Sequence, residues 1–383
     1  MAARVHDAML PPYTVDGQNL AVGSSIGIAV APTHGTDSSS LLRHADLARL
    51  SAKQGGRKYF VYSGEESDKT AHRLALAGDL RSAIPENQIA LHYQPKIGMG
   101  DDAVCGVEVL SRWNHPEHGM VPPDTFIPIA EQTGFIDPLT RWLLEEAMAQ
   151  HKTWRSAGYH IPVAVNISAI TLHNSHFPEV VAEILTRLDV SATELVLEIT
   201  ESAIMSDVAQ AARTVNALTD MGVQFSIDDF GTGYTSFSYI GKLPIREIKV
   251  DKSFVFNMLT VNEDAVIVRT IVEMGKILGV NVVAEGVEDE ETWHALNALG
   301  CTCCQGYFFG KPMSVVDFDA WLEKAEWPVR AEPRIISTPR SPARLRSPAK
   351  PGRRLKRLPT TFVVKLLGRI GDRREARRCA VRL

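Results

Sequence analysis

The chain of 383 residues contains no run of about 18 apolar residues, so no transmembrane helix is expected. Its N-terminus has neither the basic head, the long apolar stretch nor the small-residue cleavage site of a secretory leader, which makes a cytoplasmic location the default. Cysteine is scarce. Cys105, Cys301, Cys303, Cys304 and Cys379 fall in no regular framework, and reduced thiols are the expectation. On a strand Cys304 would point away from Cys301 and Cys303, which favours core-filling thiols over a soft-metal site. His34, His44, His92, His115 and His118 show no ligand spacing, and Trp142, Trp154, Trp293 and Trp321 sit in helical patterns as packing residues. No glycine-rich dinucleotide fingerprint follows any candidate strand, which counts against an open doubly wound sheet.

Charge is unevenly spread. Residues 331–383 hold 16 Lys+Arg and 3 Asp+Glu, a net +13, whereas residues 1–330 hold 25 bases and 42 acids, a net −17. The acidic body argues against nucleic-acid binding by the folded part. Residues 331–359 repeat Pro, Ser and Arg with little apolar content, and disorder is expected there. The basic-apolar segment 360–370 reads as a solvated tail, with contact to a membrane surface or a partner as the alternative.

The rest of the chain is organised around residues 223–234. An apolar run with β character ends in two adjacent carboxylates, Asp228 and Asp229, and a turn with Gly231 and Gly233 follows. Two acids at the end of a buried strand repel each other unless water, a base or a cation offsets the repulsion. From residue 87 to about 325, strand and helix patterns alternate. Candidate strands are 89–97, 104–112, 162–168, 194–200, 223–229, 246–251, 281–286 and 302–309. Helical patterns lie between them, as at 137–157, 177–189, 207–221, 263–279 and 289–299. Eight strands fit a closed (β/α)8 barrel of the TIM type. The link 98–103 is too short for a parallel crossover, so the first two strands should be antiparallel.

Nearly every candidate strand carries a polar residue in or at the end of its apolar run: Glu108, Asn166, Glu198, Asp228 with Asp229, Lys249, Glu285 and Gln305. In a barrel the C-terminal strand ends converge on one mouth. Five carboxylates held there call for cations, and an all-oxygen donor set favours Mg²⁺ or Mn²⁺. Two such ions a few ångströms apart suit phosphodiester hydrolysis. Lys249 supplies a point charge for a water or a phosphate oxygen, unless it only balances Asp251 or another acid.

These same residues carry a resemblance. Tyr93-Gln94-Pro95, Glu108-Val109-Leu110 with Ser111-Arg112-Trp113, Asn166-Ile167-Ser168, Glu198-Ile199-Thr200-Glu201, Asp228-Asp229-Phe230-Gly231-Thr232-Gly233, Lys249-Val250-Asp251, Ala284-Glu285-Gly286-Val287-Glu288 and Gln305-Gly306-Tyr307 resemble the EAL domain, the cyclic di-GMP phosphodiesterase. Val109 stands where the signature has alanine. The resemblance implies hydrolysis of cyclic di-GMP to the linear dinucleotide, with Mg²⁺ or Mn²⁺, and a homodimer. It implies that Glu108, Asn166, Glu198, Asp228 and Asp229 bind metal and that Lys249 and Glu285 serve the attacking water. Gln94, Arg112 and Gln305 would contact substrate, and Glu201 would brace the loop after the aspartate pair. Upstream, Ser24-Ser25-Ile26-Gly27-Ile28-Ala29, His44-Ala45-Asp46-Leu47-Ala48 and Ala52-Lys53-Gln54-Gly55-Gly56-Arg57 resemble the C-terminal part of a GGDEF domain, without the half that bears its signature. Cyclase activity is therefore not implied.

The expected organisation is a small α+β GGDEF fragment over 1–65, a connecting helix over 66–86, the barrel over 87–327 and a basic tail over 328–383. Three alternatives remain at this point: a silent nucleotide-binding effector, a lyase using Lys249 as a Schiff base, and an interaction scaffold silenced by the N-terminal fragment.

Overall fold

The computed structural model describes residues 2–9, 13–15, 18–20, 24–54, 57–232, 243–324 and 327–329. The tail beyond residue 329 and residues 233–234, at the end of the stretch that carries the aspartate pair, lie outside the described residues. Among those described, no helix is long and apolar enough to cross a membrane.

The N-terminal segment begins with a helix, Ala2–Met9, and a hairpin of β1 (Tyr13–Val15) and β2 (Gln18–Leu20). Neither carried a readable pattern in the sequence. Two short parallel strands follow, β3 (Ile26–Ile28) and β4 (Tyr59–Val61), joined through the helix Ser38–Gln54. The helix lies so close to β3 that a Cβ on Gly27 would meet the Ala45 carbonyl oxygen, which explains a glycine inside a strand. The connecting helix, Gly64–Ala83, buries Leu76, Leu80 and Ala83. These are spaced at helical period and pack with Trp113, Phe126, Ile129 and Leu139 as a second apolar core. Leu74, two residues before Leu76, lies off that face and is 46% exposed.

The barrel strands are β5 (Ile89–Gly98), β6 (Val104–His115), β8 (Val163–Asn166), β9 (Leu195–Thr200), β10 (Gln224–Phe230), β11 (Glu247–Val250), β12 (Asn281–Ala284) and β13 (Cys303–Cys304). They close in the order β5-β13-β12-β11-β10-β9-β8-β6, and β6 returns to pair with β5. Two short strands, β7 (Gly119–Val121) and β14 (Met313–Ser314), extend β6 and β5 outside the ring. All eight expected strands are present. The last is shorter than the range 302–309, because residues 306–309 form turns. The other seven ring strands, β6 and β8 through β13, are mutually parallel, and β5 runs antiparallel to both of its neighbours. Five residues link β5 to β6, too few for a parallel crossover, so the first strand must reverse.

Helices cover the outside of the barrel, and their ends follow from local sequence. Glu290–Leu299 starts where the Asp289 carboxylate accepts from the Thr292 N–H and stops at Gly300, whose φ is +82°. Val181, Ile184, Leu185, Val215, Leu218, Val268, Ile271 and Val272 face the sheet from three such helices. Trp327 packs edge-to-face with Trp293, Phe308 and Phe309, and Val329 bridges to Val104. Residues 328 and 329, assigned from sequence to the tail, thus lie against β6.

Barrel closure brings the sulfurs of Cys105 and Cys303, 198 residues apart in sequence, next to each other. Cys303 lies on the opposite strand face from Cys304, as alternation requires. Cys304 approaches Met99 within the core instead.

Candidate active site

Glu108, Asn166, Glu198, Asp228 and Lys249 come from five strands, β6, β8, β9, β10 and β11. Glu285 follows β12 and Gln305 follows β13. Parallel strands bring these ends to one mouth. Lys249 stands at the centre, fully buried. Its Nζ lies 2.7 Å from Glu198 Oε2, 2.7 Å from Glu285 Oε1, 3.2 Å from Asp228 Oδ1 and 3.4 Å from Glu108 Oε2. It therefore balances this ring and not Asp251, whose carboxylate caps the helix Lys252–Asn257.

Polar side chains then orient the carboxylates. Asn166 donates its Nδ2 hydrogen to Glu108 Oε1 at 2.7 Å. Gln305 Nε2 donates to Glu108 Oε2 at 2.7 Å and to Gln94 Oε1 at 2.9 Å. Gln94 in turn donates to the Gly310 carbonyl. Gln305 Oε1 is buried and accepts from no group among the described residues. That leaves one acceptor available at the mouth.

Consecutive strand residues point to opposite faces, yet Asp228 and Asp229 both reach the mouth. The backbone explains how. Asp229 has φ +53°, in the left-handed region, and the β10–β11 register shifts between Ile227 and Phe230. The Asp229 N–H donates to Asp228 Oδ1. The following Gly231 N–H donates to Glu201 Oε2 at 3.3 Å, so Glu201 touches the start of that turn without entering the ring. Arg112 also stands outside the ring, and the contact described for its guanidinium is to the Ser111 carbonyl.

Negative charge is in excess. Burial raises the Glu108 and Asp228 carboxyls above their ordinary range, with Glu198 adding to it, against the pull of Lys249. Glu285 is pushed up to about 8, by burial first and then by Asp228 and Glu108. Glu198 goes the other way. Burial would raise it, but Lys249 and a second lysine, Lys96, hold it below the usual range. Burial also works against the Lys249 ammonium, yet the four acids keep it firmly charged.

Carboxylate oxygens of Glu108, Glu198 and Asp228 lie within 4.8 Å of one another, and so do those of Asp228, Asp229 and Glu285. The two groups share Asp228. Hard oxygen donors, an excess of negative charge and a spare buried acceptor all fit divalent cations. A cleft of about 610 Å³ adjoins the ring, lined in part by Asn166, Thr200, Ser202, Asp228 and Asp229. Sequence reasoning missed Lys96 and Glu247 inside the barrel. A lysine among the buried residues Tyr93, Gln94 and Ile97 of one strand was the available signal.

A family profile for the EAL domain matches residues 77–312, and one for the diguanylate cyclase GGDEF domain matches residues 1–59. The chain is 38% identical over 315 residues to the bifunctional diguanylate cyclase/cyclic di-GMP phosphodiesterase MucR of Pseudomonas aeruginosa, covering 82% of this chain and 46% of that protein. It is 36% identical over 325 residues to the cyclic di-GMP phosphodiesterase PdeR of Escherichia coli, covering 85% and 49%. The chain thus spans less than half the length of these curated relatives. Among solved structures, the MucR phosphodiesterase in complex with c-di-GMP superposes with a TM-score of 0.62 at 40% identity, covering 64% of this chain and 99% of that one. The EAL domain of Mycobacterium smegmatis DcpA gives 0.54 at 33%, covering 63% and 100%. Barrel, acidic mouth and sequence agree: the chain belongs to the EAL-domain family and carries a GGDEF-related segment at its N-terminal end.

Proposed function

We propose that this chain is a metal-dependent phosphodiesterase that hydrolyses cyclic di-GMP to linear pGpG in the cytoplasm. The observation that carries the reading is the pair of carboxylate groups sharing Asp228 around a buried lysine. Glu108, Asn166, Glu198 and Asp228 would hold one divalent ion, and Asp229 with Asp228 and Glu285 a second. Mg²⁺ or Mn²⁺ bound there would lower the pKa of a water and offset charge on the phosphodiester. Glu285, ionised once cations occupy the ring, would stand beside the Lys249 ammonium and serve the attacking water. The Lys249 ammonium supplies a fixed positive charge beside it. Gln94 and Gln305 would contact the substrate at the mouth, and Arg112 would bind a phosphate by charge-assisted bonds. Glu201 would hold the turn after the aspartates through Gly231.

A Schiff-base lyase is disfavoured because the surrounding acids keep Lys249 protonated, hence non-nucleophilic. The same reading takes the protein to be a homodimer, which sedimentation of the purified chain would show.

The test is incubation of the whole chain with cyclic di-GMP and Mg²⁺ or Mn²⁺, beside Glu108→Ala. The expected result is linear dinucleotide from the parent only, with turnover abolished by a chelator. Tight binding without product would replace this reading with a silent effector. Product formation unaffected by chelator would end the metal assignment.

A further inference from the structure

We infer that Lys96 is a positioning residue for the metal ring, acting from inside the barrel on Glu198. The inference rests on the metal-dependent reading above.

The reversal of β5 puts Lys96 there. In the β5–β6 register Gln94 pairs with Glu108, whereas Lys96 pairs with Gly106, two residues earlier on β6. Gln94 and Lys96 share a strand face and point into the barrel. Gln94 is thus level with the acids of the mouth, and Lys96 lies one layer below them. On a strand parallel to the others, the residue two places on would have risen toward solvent. Here it descends, and its side chain is 4% exposed.

From below, Lys96 Nζ donates to Glu198 Oε1 at 2.6 Å and to Glu247 Oε1 at 3.0 Å. Glu247 also accepts from Ser226 Oγ. Glu198 is fully buried, and its other oxygen, Oε2, faces Lys249 at 2.7 Å. One carboxylate is therefore divided between two lysines. Lys96 engages the lower oxygen and turns the upper one toward Glu108 and Asp228. Glu198 is left able to offer a single oxygen to an ion, in an orientation already set. Carboxylates that orient a metal site usually depend on such outer partners, and losing one typically weakens metal affinity roughly 10- to 100-fold.

Lys96 touches neither the cleft beside the ring nor any of the residues proposed to contact substrate. Its effect should appear in metal affinity and not in affinity for the dinucleotide. The experiment is Mn²⁺ titration of the full chain by calorimetry, with parent, Lys96→Met and Lys96→Arg, together with KM and kcat at saturating Mn²⁺. Lys96→Met should raise the Mn²⁺ Kd about tenfold or more. KM should stay unchanged, and Lys96→Arg should recover part of the affinity. If Lys96→Met fails to fold, the double variant K96M/E247L leaves no orphaned acid beside Glu198 and should show the same weakening. A folded variant, single or double, that binds Mn²⁺ like the parent would overturn the inference while leaving the metal reading intact. A parent that binds no Mn²⁺ would overturn both.

Discussion

Glu285 and Glu198 lie on the same lysine yet titrate in opposite directions. Glu198 meets two ammonium groups and stays ionised, whereas Glu285 has one, along with Asp228 and Glu108 as like-charged neighbours. Unfolded, the Glu285 carboxyl would titrate near 4.5, and in the folded protein it does so at about 8. Between those values the folded, metal-free protein holds the extra proton. The stability tied to that proton is complete below the unfolded value and is lost as pH rises through the folded one. Metal-free protein should therefore show a urea midpoint that falls from pH 5 to pH 8. In Glu285→Gln that part of the trend should vanish. Adding Mg²⁺ or Mn²⁺ at pH 7 should also release protons, because ligands must be ionised to bind. A pH-stat trace without release would contradict the assignment of Glu285 to the ring.

At the scale of elements, the end of β10 departs from regular geometry where the site needs it. Left-handed backbone at Asp229 turns two neighbouring carboxylates toward one mouth. Asparagine and aspartate tolerate this conformation, while a β-branched residue does not. Asp229→Asn should keep the parent's unfolding midpoint and lose activity. Asp229→Val should lose activity and also unfold earlier, by roughly 1–2 kcal/mol relative to Asp229→Asn. Equal stability of the two variants would argue that the backbone at 229 is not constrained. The connecting helix has a different task. Leu80 is fully buried against the second core, so Leu80→Ala should cost ~2–5 kcal/mol in chemical unfolding. Activity per folded molecule should be unaffected, since none of the helix's described side chains reaches the ring.

For the whole molecule, the barrel gathers charges that no local segment could hold. Glu108 and Glu285 are 177 positions apart in sequence but share the Lys249 ammonium. Removing one partner from a buried ion pair typically costs about 3–5 kcal/mol. The acid ring is thus linked to the stability of the barrel as well as to its chemistry.

Much of this was legible before folding. Apolar runs of strand length alternating with helical periods specified eight strands and their order. The short link after residue 98 specified the reversed first strand, because backbone reach does not depend on context. The polar residues ending those runs named most of the ring, since a charge inside an apolar run stands out wherever the run is placed. Other features required closure of the barrel. Whether Lys249 faces Asp251 or four acids depends on which strands become neighbours. Lys96 reaches Glu198 only because a reversed strand carries its side chain downward. Cys105 meets Cys303, and Asp229 joins Asp228 at one mouth, through ring closure and a left-handed residue. Periodicity describes which face a residue takes, but the partner across the barrel is set by the packing of distant strands.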